Sequence, residues 1–263
     1  MQRATLGRVF VAWVLVAAFL MPGIAVAIPT ASGVHAGLAA TTTKYTSSNW
    51  AGYVAVSTNK TVKEVSGAWT QPTVTCGSTT QYAVFWVGMD GVKFWSNLGT
   101  VEQIGTFAQC VGGTASYSAW WELYPLNSIV TISSITVKAG DKITASVTFT
   151  SSKFVMTIAD GTHTFTKKAT QSGTLRNSAE CIAERPGVSS GGSFSLAHLA
   201  DFGKMTFSSC TATISGVSGG IGTFANVWEL TMVSQLAGNA TLAKPSVLNS
   251  TKSSFSVTWK KAN

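Results

Sequence analysis

A side-chain period of two runs through most of this chain, and it leaves little choice of fold. In "KITASVTFTSS" Ile143, Ala145, Val147 and Phe149 fall on one side and Thr or Ser on the other, which is the pattern of a half-buried β-strand. In "KFVMTIADGTHTFTKKA" Phe154, Met156 and Ile158 keep the same step. Asp160-Gly161 then separates that run from a second alternating one, which predicts a hairpin. Similar short runs occur at "AGYVAVS", "GAWTQPTV", "YAVFWVGMD", "GTVEQIGTFAQ", "YSAWWELYP", "SIVTISSITV", "KMTFSSCTATI", "VWELTMVS" and "FSVTWKK". No long helical period interrupts them. Charged residues make up only 11% of the chain. The sequence therefore predicts an all-β fold, a β-sandwich.

The ends and the cysteines set the compartment. Arg3 and Arg8 precede the apolar "VFVAWVLVAAFL", and Ala25–Ala27 form a small-x-small site. Residues 1–27 read as a secretory signal peptide. An uncleaved anchor is the alternative, and Pro22 and Gly23 ahead of the site favour cleavage. Residues 28–46 are small, polar and aperiodic, and read as a short pro-segment or flexible arm. Residues 47–263 then form one domain. Cys76, Cys110, Cys181 and Cys210 show no C-x-x-C spacing, so no zinc site is expected. In an exported chain four cysteines give two disulfides in one of three pairings. Cys76–Cys110 with Cys181–Cys210 leaves the shortest loops. Neither metal nor any other cofactor is expected. Net charge is +8, with no basic run or basic–aromatic interleaving, so nucleic acid is not an expected partner. Stable membrane association after signal cleavage is not expected either, and the exported chain reads as a monomer. Sequons at Asn59, Asn239 and Asn249 suit export.

The chain has only ten acids, so they can be sorted. Asp141 and Asp160 sit next to glycine as turn residues. Glu64 lies among polar residues, and Asp201 in a loop or cap. Asp90 ends an apolar run before Gly91 and could serve a turn or a site. Glu102, Glu122, Glu180, Glu184 and Glu229 lie in or beside apolar runs. Glu180 and Glu184 point the same way whether their segment is a strand or a helical turn. In "AWWELYP" Glu122 alternates with Trp120 and Tyr124, and adjacent Trp120 and Trp121 must take opposite faces of a strand. One of those tryptophans can line a groove that grips an extended polymer, peptide or sugar. No serine motif accompanies His163 or His198, so a Ser-His-Asp triad is not expected. A glycosidase using Glu122 and Glu184 beside Trp120, or a carbohydrate-binding module without catalysis, fits the same residues.

"SSNWAGY", "FWVGMDG", "VEQIGTF", "YSAWWELYP", "AECIAE" and "LADFGKMTF" occur in the order in which similar segments occur in the glutamic peptidases, or eqolisins. From about Ser47 onward the chain resembles that family, as a secreted, prokaryotic-type member. The resemblance implies a β-sandwich of two large antiparallel sheets, of the concanavalin-like or jelly-roll type, and an acid-active endopeptidase acting on polypeptides. It implies that Gln103 and Glu184 are the catalytic pair, and that Trp86, Asp90, Trp120, Glu122 and Tyr124 support the site or bind substrate. Asn49 and Trp50 match a structural segment. Ser118 stands where fungal members carry aspartate, Arg185 follows the catalytic glutamate where they often carry an acid, and the chain is basic where they are acidic. Independently, a metal-free hydrolase needs activated water. An ionised Glu184 can take a proton from water and return it to the leaving amine. The Gln103 amide can donate to the oxyanion at any pH. Work in acid would need hydrogen bonds that hold Glu184 low.

Overall fold

The computed structural model describes residues 40–92, 99–190, 193–235 and 238–263. Residues 1–27 and most of the expected arm lie outside them, as does Trp95. Nineteen strands occur among the described residues, numbered here in chain order. The front sheet runs β1 (Thr41–Ser47), β17 (Asn226–Ser234), β2 (Trp50–Val56), β11 (Ser178–Glu184), β4 (Gln81–Asp90), β5 (Val101–Val111), β6 (Thr114–Tyr124) and β7 (Val130–Ile132). All these pairings are antiparallel except β1 with β17. Short β14 (His198–Leu199) adds a parallel contact to the start of β4.

The back sheet runs β10 (Thr164–Ala169), β9 (Lys153–Ala159), β8 (Lys142–Thr150), β3 (Val62–Thr70), β15 (Lys204–Ile214), β19 (Phe255–Trp259) and β18 (Ala240–Pro245). β16 (Val217–Gly220) pairs with the far part of β15. β18 also pairs with the end of β17, so the two sheets join at that edge. A small hairpin of β12 (Gly187–Ser190) and β13 (Ser193–Leu196) follows Glu184 directly.

Alternation along the strands sorts side chains into two clusters. Ala51, Tyr53, Phe85, Val87, Ile104 and Leu123 face the back sheet and meet Trp69, Val147, Phe154 and Phe207 there. Trp50, Val54, Val84, Trp86, Trp120 and Ile182 form a second cluster on the outer face of the front sheet. A soluble sandwich needs only one apolar face per sheet. The second cluster marks the outer face as a lined surface.

Both disulfides take the short-loop pairing. Cys76–Cys110 ties the lead-in of β4 to β5, and Cys181–Cys210 ties β11 in front to β15 behind. Edge strand β10 presents Lys167 and Lys168, charges that oppose edge-to-edge pairing. Lys167 also covers Trp121, with Nζ 4.6 Å from the ring centre.

Three local expectations change. Thr41–Ser47, expected as part of an aperiodic arm, is a strand that pairs along its whole length with β17. Tyr45 packs on Trp228 at 4.7 Å there. The segment reads as aperiodic because this edge strand half-buries only Tyr45 and Ser47, too few positions to write an alternation. The run "SIVTISSITV" gives only a three-residue strand, β7, before the chain turns, though Ile135 and Val137 stay buried. The Asp160-Gly161 hairpin is wider than a two-residue turn. Asp160 Oδ1 accepts from the backbone N–H of Thr162 and His163, which stabilises the longer loop.

Candidate active site

Six of the ten acids are buried: Asp90, Glu102, Glu122, Glu180, Glu184 and Glu229. The register explains how several reach one face. Cross-strand partners share a face, and three successive rows cross β11, β4 and β5. Glu184 pairs with Trp50 and Val84. Ile182, Trp86, Gly105 and Trp120 form the next row, and Glu180, Gly88, Gln103 and Glu122 the one after. "AECIAE" is a strand, so its two glutamates share the outer face for the period-two reason.

Trp86 fills the middle of this face because its neighbours have no side chains. A Cβ on Gly88 would stand 2.7 Å from the Trp86 six-membered ring, and one on Gly105 would stand 2.1 Å from the Phe85 carbonyl oxygen and 2.7 Å from Trp86 Cβ. The indole therefore lies over Gly88, beside the Gln103 row, while Trp86 Nε1 donates to Glu184 Oε2 at 2.8 Å. Gly105→Ala should overpack this point and destabilise the fold by about 1–3 kcal/mol. Urea unfolding checks this, and an unchanged midpoint would mean that the strands separate there freely.

Glu184 has three donors around it. Asn49 Nδ2 donates to Oε1 at 3.1 Å, Trp86 donates to Oε2, and the Trp50 N–H faces the carboxylate without closing a hydrogen bond. Burial still outweighs them and lifts Glu184 to about 7. This corrects the expectation that hydrogen bonds would hold the group low, since a dry apolar face opposes its charge more than two N–H bonds favour it. Gln103 Nε2 donates to Glu122 Oε2 at 2.6 Å, and Gln103 Oε1 has no partner. Burial first, then the neighbouring Glu184 charge, pushes Glu122 up to about 8. The two carboxyls thus sense one another across the face, and Glu122 tends to stay neutral while Glu184 ionises.

The other named residues divide. Trp120 lies on this face but is only 1% exposed, so it forms the floor and is not an open platform. Trp121 takes the opposite face, half-buried under Lys167. Tyr124 belongs to the outer cluster beside Glu122, and its hydroxyl titration is raised by burial and by that neighbour. Asp90 caps the end of the sheet. It accepts from Thr100 Oγ1 and from the backbone N–H groups of Leu175 and Asn177, and so fixes the loop leading into β11. Beside it, all four carboxyl oxygens of Glu102 and Glu180 are buried without hydrogen-bond partners. Burial, the first cause for each, with like charges adding to it, drives both groups well above the usual carboxylate range. The resemblance placed Asn49 only as structural; its contact with Glu184 joins residues 135 positions apart.

A two-sheet sandwich of this kind defines a class when set beside known proteins. Crystal structures of scytalido-glutamic peptidase with a transition-state analogue inhibitor share the fold at a TM-score of 0.68, with 24% identity over 81% of this chain and 98% of that one. Aspergilloglutamic peptidase from Aspergillus niger matches at a TM-score of 0.55 and 31% identity, over 68% of this chain and 99% of its own. Aspergillopepsin-2 of Aspergillus niger is 33% identical over 202 residues, 67% of this chain and 68% of the relative. The protein is a glutamic-type endopeptidase. The Peptidase A4 family model matches residues 48–258, and the chain belongs to that family.

Proposed function

We propose that the protein is an exported endopeptidase, its leader removed after residue 27, in which Glu184 is the general base and Gln103 the oxyanion donor. The observation that carries this reading is their common placement. β11 and β5 present them on one face of one sheet, with the Trp86 indole spanning the strand between. A water held by ionised Glu184 gives it a proton as the water oxygen attacks the scissile carbonyl. One Gln103 N–H is engaged by Glu122, and the other is available to the developing oxyanion. Glu184 then passes its proton to the amine as the C–N bond breaks. Trp86 holds the base, Glu122 aims the amide, and Trp120 and Tyr124 line the face.

The second reading, a glycosidase using Glu122 and Glu184, is less well supported. Glu122 is committed to Gln103, a pairing a peptidase uses and a carboxylate-pair glycosidase does not need.

The purified protein's pH–rate profile on a denatured protein substrate tests the base role. The rate should rise as Glu184 ionises and fall as Glu122 does, with the two apparent constants belonging to the pair. A rising limb that persists at the same pH in Glu184→Gln would mean that another group is the base, and the base role would be wrong.

A further inference from the structure

We propose that Ser47 and Asn49 are positioning residues: the Ser47 hydroxyl locks the Asn49 amide so that its N–H, and not its carbonyl, faces Glu184. The proposal rests on the reading of Glu184 as the base. Ser47 Oγ accepts the backbone N–H of Asn49 at 3.3 Å and of Trp50 at 3.1 Å. A hydroxyl oxygen has two lone pairs and one proton. With both lone pairs engaged, the proton has one use left, and it goes to Asn49 Oδ1 at 3.2 Å. The reversed amide would aim an N–H at an oxygen with no lone pair free and a carbonyl at a carboxylate. The network therefore fixes the orientation. Asn49 Nδ2 is left pointing at Glu184 Oε1, 3.1 Å away.

The backbone holds this arrangement on both sides. Arg185 N–H donates to the Asn49 carbonyl at 2.8 Å, which ties the residue after the base to the same turn. Ser47 ends β1, whose pairing with β17 includes Ser47 opposite Met232. Asn49 is 2% exposed, so its N–H is little diverted to solvent. The groups facing Glu184 are Asn49, Trp50 of β2, Trp86 of β4 and, by charge, Glu122 of β6. Arg185 points away, with its guanidinium on Asn263 Oδ1 at 3.0 Å. Asn49 and Trp86 are thus the two side chains that hydrogen-bond the carboxylate, and only Asn49 has an orientation that a second residue must set.

Removing a donor from a carboxylate favours its protonated form. In Asn49→Ala the rising limb of kcat/KM should move up by about one pH unit, a tenfold change in the ionisation constant. Ser47→Ala should shift it the same way by a smaller amount, because the freed amide can turn. Ser47→Thr restores the hydroxyl and should restore the limb. The pH-independent limiting kcat/KM fitted to each bell should agree within about twofold between the variants and the parent, since the ionised carboxylate is the same base in all of them.

A carbon-13 titration of the Glu184 carboxyl, assigned by difference from Glu184→Gln, follows the same shift without turnover. Loss of activity by an equal factor at every pH, with the carboxyl titration unmoved, would make Ser47 and Asn49 merely structural and overturn the proposal. A shifted titration with full activity in Glu184→Gln would keep the relay but remove the base reading on which its purpose rests. If Asn49→Ala fails to fold, Ser47→Ala against Ser47→Thr decides alone.

Discussion

Glu184→Gln is expected to lower kcat/KM on a protein substrate by about 10²–10⁴-fold, the usual contribution of a positioned general base. The substitution keeps the side chain's length and an oxygen for a donor from Trp86 or Asn49, so the loss would reflect lost basicity and not a collapsed face. Gln103→Ala should lower it by about 10²–10³-fold, the effect of deleting one oxyanion donor. It also leaves the buried Glu122 carboxyl without the amide that now donates to it. The two substitutions together separate the chemical readings. A carboxylate-pair glycosidase would lose everything with Glu122→Gln and Glu184→Gln and would tolerate Gln103→Ala. A peptidase should depend on Gln103 and Glu184. Full proteolysis by Glu184→Gln would end the assignment of the base, whatever happened to Gln103.

The second large effect is on stability, and its sign follows from the direction in which the fold moves these groups. Glu184 and Glu122 titrate at about 7 and about 8 in the fold, against 4.5 for an unperturbed glutamate. Above pH ~4.5 the folded chain therefore holds protons that the unfolded chain has released, and stability falls as pH rises. The contribution is complete below the unfolded value and is lost as pH passes through the folded values. Each pH unit between the folded and unfolded values is worth about 1.4 kcal/mol. The pair alone thus removes several kcal/mol, against a typical total of about 5–15 kcal/mol. Glu102 and Glu180 act in the same direction, because burial and like charges outweigh the Thr100 and Ser178 hydroxyls beside them. Urea midpoints should fall steadily between pH ~5 and ~8 and recover on return to acid. Glu180→Gln should flatten that slope. Stability that rises over this range would mean that these carboxyls are ionised and paired, contrary to their surroundings.

Burial of acids also answers what the composition alone left open. A chain with ten acids has few ion pairs to lose in acid. The structure adds that five of those acids, Asp90, Glu102, Glu122, Glu180 and Glu184, sit where burial favours the protonated form. Half-buried Asp160 is the contrast: its carboxylate, held by the His163 and Thr162 backbone N–H groups, lies at about 2.

Much of this was legible in the residues. The strands at Lys142–Thr150 and Lys153–Ala159 could be read directly, because a half-buried strand must alternate and nothing else in a soluble chain does so for long. The common direction of Glu180 and Glu184 followed from the same period. Thr41–Ser47 could not be read, since a mostly exposed edge strand with one aromatic contact, Tyr45, writes no pattern. Nor could the fate of Glu102, which neighbours Gln103 in sequence but lies buried with Asp90 and Glu180 at the end of the sheet.

The order of residues was enough for the class of fold, for the short-loop cysteine pairing as the favoured one, and for the family, because periodicity and ordered motifs are local properties of the chain. Which acids are dry, that Gln103 is held by Glu122, and that Asn49 meets Glu184 emerged only once the strands were assembled. Those facts depend on strand register and on what covers each carboxyl, and both arise from pairings between segments far apart along the backbone.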